Sequence, residues 1–187
     1  MLVDVVIRLL VRFRRTTTSS LSVGMLGAVM LVEGLVAVAA AGGGAVVQAA
    51  ATDALPALPV GFTGRQDDLE FVLGVLEPGR GQGGPAVAVL SGWGGVGKTT
   101  LAHAAGHASQ KQGWYTGVLL VDLHGYDPQP TLAEDALEAL LRSLGVRLEH
   151  IPPPGAGREA LYRSQLNARQ EAGERLLLVA DNASSVS

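Results

Sequence analysis

The stretch that decides the fold is Ser91-Gly92-Trp93-Gly94-Gly95-Val96-Gly97-Lys98-Thr99-Thr100. It has the spacing G-x-x-x-x-G-K-[ST], which begins at Gly92 and ends at Thr99. Glycines admit backbone angles that are closed to other residues, and they let successive N–H groups converge on phosphate oxygens. We therefore predict a phosphate-binding loop here, with ATP or ADP and Mg²⁺ as its ligands.

The residues on either side of this loop predict the strand and the helix that such a site requires. Residues 86–90 (AVAVL) form a short apolar run, which predicts a strand buried on both faces of a parallel sheet. Residues 101–110 are rich in alanine and predict a helix whose positive N-terminal end faces the phosphates. The residues expected to contact the nucleotide are Gly92, Gly94, Gly95, Val96, Gly97, Lys98, Thr99 and Thr100.

Two of these side chains and one distant carboxylate have distinct expected roles. Lys98 would place its ammonium group against the β- and γ-phosphates, and the Thr99 hydroxyl would supply one oxygen to Mg²⁺. The apolar run 176–180 (LLLVA) leads into Asp181, so a carboxylate is expected at the carboxyl edge of a buried strand. Thr99 and Asp181 are therefore the predicted metal residues, with Asp181 acting through water.

The pattern around the loop predicts an α/β protein. Thr131 and Glu134 have the spacing of a capping box at the start of a helix. The predicted fold is a P-loop NTPase, with three α/β/α layers around a parallel sheet that this chain leaves incomplete. The further predicted elements are helices 66–76, 131–144 and 158–172 and strands 118–123 and 176–180.

Composition and prolines divide the chain into a leader at 1–52, a linker at 53–59 and a nucleotide-binding domain at 60–187. Pro56 and Pro59 predict extended backbone in the linker. The leader is apolar and rich in Ala and Gly, and it has three interpretations: a helical or disordered low-complexity segment, a membrane span at 21–41, or a cleaved signal. Glu33 and the glycines at 42–44 oppose the span, which would also export the loop from cellular ATP. We expect a cytoplasmic protein, with membrane anchoring as the minority interpretation.

Overall charge and cysteine content exclude nucleic-acid binding and two kinds of cysteine-dependent site. The net charge is −3 and the pI about 5.8, so the chain lacks the basic surface that nucleic-acid binding requires. The sequence contains no cysteine, which excludes disulfides and thiolate metal sites. The expected partner is thus a purine nucleotide.

Asn182 follows the predicted metal carboxylate, at a position where an ATPase usually has a second carboxylate to orient the attacking water. An amide cannot accept that proton, so we expect slow hydrolysis or none. Asn182 and the family-like motifs together make a regulatory nucleotide switch without catalytic residues the leading hypothesis. The alternatives are an active ATPase of AAA-like or transport type, a weak ATPase, and a truncated product without function.

From about 58 to 185 the chain resembles the NB-ARC domain of STAND-class P-loop NTPases, as found in actinobacterial regulators. The resemblance rests on residues 59–65 (PVGFTGR), 91–100, 121–128 and 176–183, the last containing the tripeptide Asp-Asn-Ala. It implies that Phe62 and Arg65 lie near the adenine, that the resting protein holds ADP, and that exchange for ATP drives self-association.

The chain ends where this family continues. The sensor arginine, the helical subdomain and the winged helix of the family have no counterpart here. In the family, the strand between the loop strand and the Asp181 strand comes from later sequence. We therefore expect an N-terminal fragment whose sheet has a gap.

Overall fold

The computed structural model describes residues 29–32, 35–40, 55–78 and 86–183. Each of the five further elements predicted above is present within two residues at each end, so the prediction of mixed helices and strands is confirmed. The elements are strands β1 (Val29–Val32) and β2 (Leu35–Ala40), helices α1 (Gln66–Leu76) and α2 (Lys98–Lys111), strand β3 (Gly117–Asp122), helix α3 (Ala133–Ser143), a 3-10 turn (Leu148–His150), helix α4 (Ala156–Glu171) and strand β4 (Leu176–Asp181).

The described strands form one sheet in the order β1-β2-β4-β3. β3 and β4 are parallel and in register, so that Asp122 is the partner of Asp181 at their carboxyl ends. β2 pairs with the other edge of β4 in the antiparallel direction. The parallel part of the sheet is therefore a pair of strands, which is compatible with an incomplete α/β fold.

Helices cover both faces of the parallel pair. Alternate residues of a strand point to opposite faces, so Val118 and Leu119 enter two different cores. The first core lies under α1 and α2 and the second under α3 and α4. The first contains Val72, Leu76, Leu101, Ala105, Val118, Leu177 and Val179, and the second contains Leu119, Val121, Leu137, Leu141, Tyr162, Leu176 and Leu178.

The strand predicted at 86–90 is not part of the sheet, and this prediction is wrong. Ala86 makes an isolated bridge and residues 87–90 have no strand assignment. Ala88 is buried, whereas Val87 is 45% and Val89 53% exposed, so one face alone meets the core. The physical reason is that β3 and β2 occupy the two edges of β4, which leaves this segment without a place beside β4.

The prediction that the leader is helical or disordered is also wrong for the leader residues that the structure describes. Residues 29–32 and 35–40 form two antiparallel strands instead. Valine, which favours strands, is frequent in both segments. The edge of β4 that β3 leaves open also offers backbone hydrogen bonds, and β2 uses them. None of the helices in the described part of the chain has the length and hydropathy required to span a bilayer. The rest of the leader, including most of the proposed span 21–41, lies outside the described residues.

The linker is described from Leu55 onward. Residues 55–59 have no regular secondary structure, as their prolines predict. Leu55 is nevertheless buried against α2, where a Cβ added at Gly106 would lie 2.6 Å from its Cδ1 atom. His107 Nε2 and the Pro56 carbonyl oxygen are also hydrogen-bonded, at 2.9 Å. The second half of the linker therefore packs on the domain.

The capping box predicted at the start of α3 does not form. The N-cap residue is Leu132, without a side-chain cap. The Thr131 hydroxyl instead donates to the Asp122 carbonyl oxygen at 3.2 Å. Glu134 accepts a hydrogen bond from the Gly155 amide at 2.9 Å. Both side chains are used for contacts between segments, which local spacing does not reveal.

Candidate functional site

The glycine loop enters α2 through left-handed backbone. Gly95 has a φ of 79° and Gly97 a φ of 83°, a region in which a Cβ is strained. Gly97 is the N-cap of α2, and its carbonyl oxygen accepts the first helical hydrogen bond, from Leu101. The first amides of a helix have no partner within the helix, so the turn that begins at Lys98 presents free donors beside the loop.

Lys98 folds back along the loop that precedes it. Its ammonium nitrogen donates to the carbonyl oxygens of Gly92 at 2.6 Å and Trp93 at 3.0 Å. These contacts hold one positive charge at the start of the loop, next to the N-terminal end of α2. The charge and the helix end together favour an anion at this place.

Thr99 and Asp181 are brought together although 82 positions separate them. The Thr99 hydroxyl donates to Asp181 Oδ1 at 3.0 Å. The backbone amide of Asn182 donates to the same oxygen at 2.9 Å. A hydroxyl and a carboxylate are hard oxygen ligands of the kind that Mg²⁺ prefers, so this pair fits the metal role predicted for it.

Burial raises the pKa of Asp181, which is the largest influence on this group. The hydrogen bond from Thr99 opposes the rise, the nearby Asp122 carboxylate adds to it, and the Lys98 ammonium opposes it. The ionised form of Asp181 is therefore disfavoured in the folded chain by itself. A cation at this edge would reverse that preference.

The raised pKa leads to a stability prediction for Asp181→Asn. A carboxyl whose pKa is higher in the folded than in the unfolded chain contributes stability below its unfolded pKa and loses it as pH rises through the folded pKa. The neutral amide that replaces the carboxyl in the variant loses no stability as pH rises, and its Oδ1 still accepts from Thr99. In metal-free buffer at pH 7.5 we expect a higher unfolding temperature than wild type, by a modest amount because solvent screens this half-exposed group.

The matched measurement is thermal unfolding of both proteins across the acidic range. The difference should shrink as pH falls toward the unfolded pKa, because wild-type Asp181 becomes neutral. A variant that is less stable than wild type at pH 7.5 and equally so in acid would contradict this account.

Arg65 contacts the glycine loop, and Phe62 contacts the core. The Arg65 guanidinium donates to the Val96 carbonyl oxygen at 2.7 Å and to Asp68 Oδ2 at 2.8 Å. Phe62 packs against the core beneath α1 and α2. Thr100 lies in the first turn of α2. The structure therefore brings Arg65 together with the loop, whereas the adenine contacts expected of Phe62 and Arg65 stay a prediction.

Sequence reasoning overlooked Asp122 as a site residue. Asp122 Oδ1 accepts from the side-chain nitrogen of Asn182 at 2.9 Å and from the backbone amide of His124 at 2.8 Å. Asp122 and Asp181 both end an apolar strand, and carboxyl ends of parallel strands meet at one edge. The shared position of the two residues at strand ends is the sequence feature that could have identified Asp122. His124 and Asp127, whose side chains contact each other at 3.1 Å, lie in the turn that follows β3.

Comparison with known proteins shows where this sequence has relatives. No family model matches the chain, and no solved structure matches it significantly. A stretch of 68 residues, 36% of the chain, is 40% identical to an iron-sulfur cluster carrier protein of Pyrococcus horikoshii and covers 23% of that protein.

Two longer matches are to regulatory proteins. The chain is 39% identical over 133 residues to the regulatory protein AfsR of Streptomyces coelicolor, and 38% identical over 129 residues to AfsR of Streptomyces griseus. Each match covers 69% of this chain but 13% and 12% of the relatives, so the chain spans about an eighth of their length. Over two thirds of its length, this chain is thus similar to a piece of a larger Streptomyces regulatory protein.

Proposed function

We propose that this chain carries the nucleotide-binding switch segment of a larger regulatory protein, with ADP or ATP and Mg²⁺ as ligands. The observation that carries the proposal is the 3.0 Å contact between Thr99 and Asp181 beside a glycine loop that enters a helix in left-handed backbone. The similarity to the AfsR proteins supports a regulatory role. The resemblance to NB-ARC domains supports the finer assignment to a STAND-type switch.

The residues of the loop divide the recognition of a nucleotide between them. The amides at the start of α2 donate to phosphate oxygens, and Lys98 neutralises phosphate charge once it leaves the Gly92 and Trp93 carbonyl oxygens. Thr99 and Asp181 would hold the metal ion, and its positive charge would offset the negative charge of the phosphates. Arg65 braces the loop through the Val96 carbonyl oxygen.

The metal assignment is tested by measuring ADP affinity with Mg²⁺ and with EDTA. Thr99→Ala should weaken binding by roughly tenfold in Mg²⁺ and hardly at all in EDTA, because the lost hydroxyl is assigned to the metal rather than to phosphate. Ser143→Ala is the control, since its hydroxyl bonds within α3 to Ala139. Equal losses in the two buffers would remove Thr99 from the metal site, and no binding by wild type would end the proposal.

Asn182 distinguishes the switch from an active ATPase. Loss of a general base typically lowers a rate by about 10²–10⁴. Phosphate release in the steady state should therefore be slow compared with nucleotide binding, and brisk turnover would favour the enzyme instead. A switch of this type also implies self-association that depends on the bound nucleotide, which sedimentation with MgADP and with MgATP would measure.

A further inference from the structure

Asn182 bridges the two carboxylates at the ends of β3 and β4. Its backbone amide donates to Asp181 Oδ1 and its side-chain nitrogen donates to Asp122 Oδ1, both at 2.9 Å. Asp122 and Asp181 are register partners, so their like charges lie at one edge of the sheet. The two N–H donors of one asparagine therefore connect Asp181, at the candidate metal site, to Asp122 at the end of the neighbouring strand.

Asp122 decides which way the Asn182 amide points. An ionised carboxylate accepts hydrogen bonds and donates none, so it selects the nitrogen end of the amide and turns the oxygen end away. Asp122 Oδ1 also accepts from the His124 amide, which fixes the carboxylate against its own turn. The amide orientation thus depends on the first residues after β3.

The loop that follows β3 is hydrogen-bonded to the end of β4, at the corner of the sheet where both strands end. The Leu123 amide donates to the Asp181 carbonyl oxygen at 2.9 Å, and the Gly125 amide donates to the Asn182 carbonyl oxygen at 2.7 Å. Within the described residues, His124 (φ 46°) and Asn182 (φ 55°) are the non-glycine residues with positive φ, and both lie in this corner. Tyr126, at the exposed part of the loop, has 66% of its surface free.

We propose that Asp122 is a positioning residue which, by orienting the Asn182 amide, couples occupancy of the Thr99–Asp181 edge to the conformation of the exposed loop 123–131. The proposal rests on the proposed function and adds to it the element that responds to the nucleotide. Asp181 Oδ1, which accepts from the Asn182 backbone amide, would shift toward a cation held at this edge. The strained Asn182 backbone passes the displacement to Asp122 and to the Gly125 amide. Tyr126 would then present a different surface in each nucleotide state.

The absence of cysteine from the sequence permits a specific reporter. Tyr126→Cys, labelled with an environment-sensitive thiol dye, would be titrated with MgADP while nucleotide affinity is measured separately. The same dye on Leu148→Cys is the control, because Leu148 is similarly exposed, at 59%, and lies outside the loop. We expect a change in emission for the first protein and none for the second.

The decisive comparison adds Asp122→Ala to the Tyr126→Cys protein. The emission change, measured at saturating MgADP for each protein so that any change in affinity does not enter, should fall about fivefold or more, because coupling between the two places is then lost. Asp122→Asn should restore most of the change, because its oxygen still accepts from Asn182 and His124. Asn182→Gly should abolish the change without strain, since glycine suits a positive φ, and it serves where Asp122→Ala does not fold.

Each result decides between the two proposals. An undiminished emission change in Asp122→Ala or in Asn182→Gly overturns the coupling role. Nucleotide binding without any emission change in the Tyr126→Cys protein also overturns it and leaves the proposed function standing. Absence of binding to the unlabelled wild-type chain overturns the proposed function and the coupling together.

Discussion

Replacing Lys98 by alanine is expected to weaken binding of both MgADP and MgATP by about 1.5–3 kcal/mol, the usual contribution of a hydrogen bond to a charged group. The reason is that Lys98 holds the mobile positive charge of the loop, 2.6 Å from the Gly92 carbonyl oxygen. The loop amides and the N-terminal end of α2 remain in the variant, so residual binding should persist. Equilibrium titration with fluorescent ADP and ATP measures the effect.

Lys111 provides a matched control, since it is the other lysine of the chain and lies at the opposite end of the same helix. Lys111→Ala makes the same change of side chain and charge but should leave nucleotide affinity unaltered. If Lys98→Ala binds within a factor of two of wild type, the phosphate-binding assignment of this loop is wrong.

A second large effect is expected on stability, from Arg158→Ala. Arg158 is 7% exposed, and its guanidinium donates to the Pro152 carbonyl oxygen at 2.9 Å and to the Glu134 carbonyl oxygen at 2.8 Å. It also pairs with Glu138 at 2.9 Å. Removal deletes these contacts among α3, the loop at Pro152 and α4 and takes the partner from the Glu138 carboxylate, which should cost about 2–4 kcal/mol of unfolding free energy.

Arg163→Ala is the comparison for this measurement. Arg163 lies on the same helix, is more exposed, and faces Glu159 at 3.6 Å, so its loss should change the unfolding free energy by no more than about 0.5 kcal/mol. Urea unfolding of the two variants beside wild type gives both values. Similar stability of the two variants would mean that the Arg158 contacts are not needed to join α3 and α4.

These two predictions differ in how far the sequence alone could support them. Lys98 was assigned from spacing, because the loop and the helix that uses it are contiguous in the chain. For Arg158 the sequence predicts only a place in the helix 158–172, since nothing local distinguishes it from Arg163 or Arg169 on the same helix. Its burial depends on the loop at Pro152 and on α3 folding over it.

The sequence by itself determined the elements whose cause is local. Glycine permits the left-handed backbone found at Gly95 and Gly97, and the apolar periodicity of 66–76 and the apolar run 176–180 were sufficient to place α1 and β4. The Asp181 position was predictable too, because a carboxylate that ends a buried strand must lie at the carboxyl edge of its sheet.

Only the tertiary structure decided which distant groups meet. Whether residues 86–90 enter the sheet depends on which strands pair with the two edges of β4. Strands β2 and β3 pair with both edges, so residues 86–90 stay outside the sheet. The meeting of Asn182 with Asp122 depends on strand register, since a shift of one residue would turn the Asp122 side chain to the other face. Such contacts join residues far apart in the chain, and hydrophobic pattern and turn chemistry act over a few residues at a time.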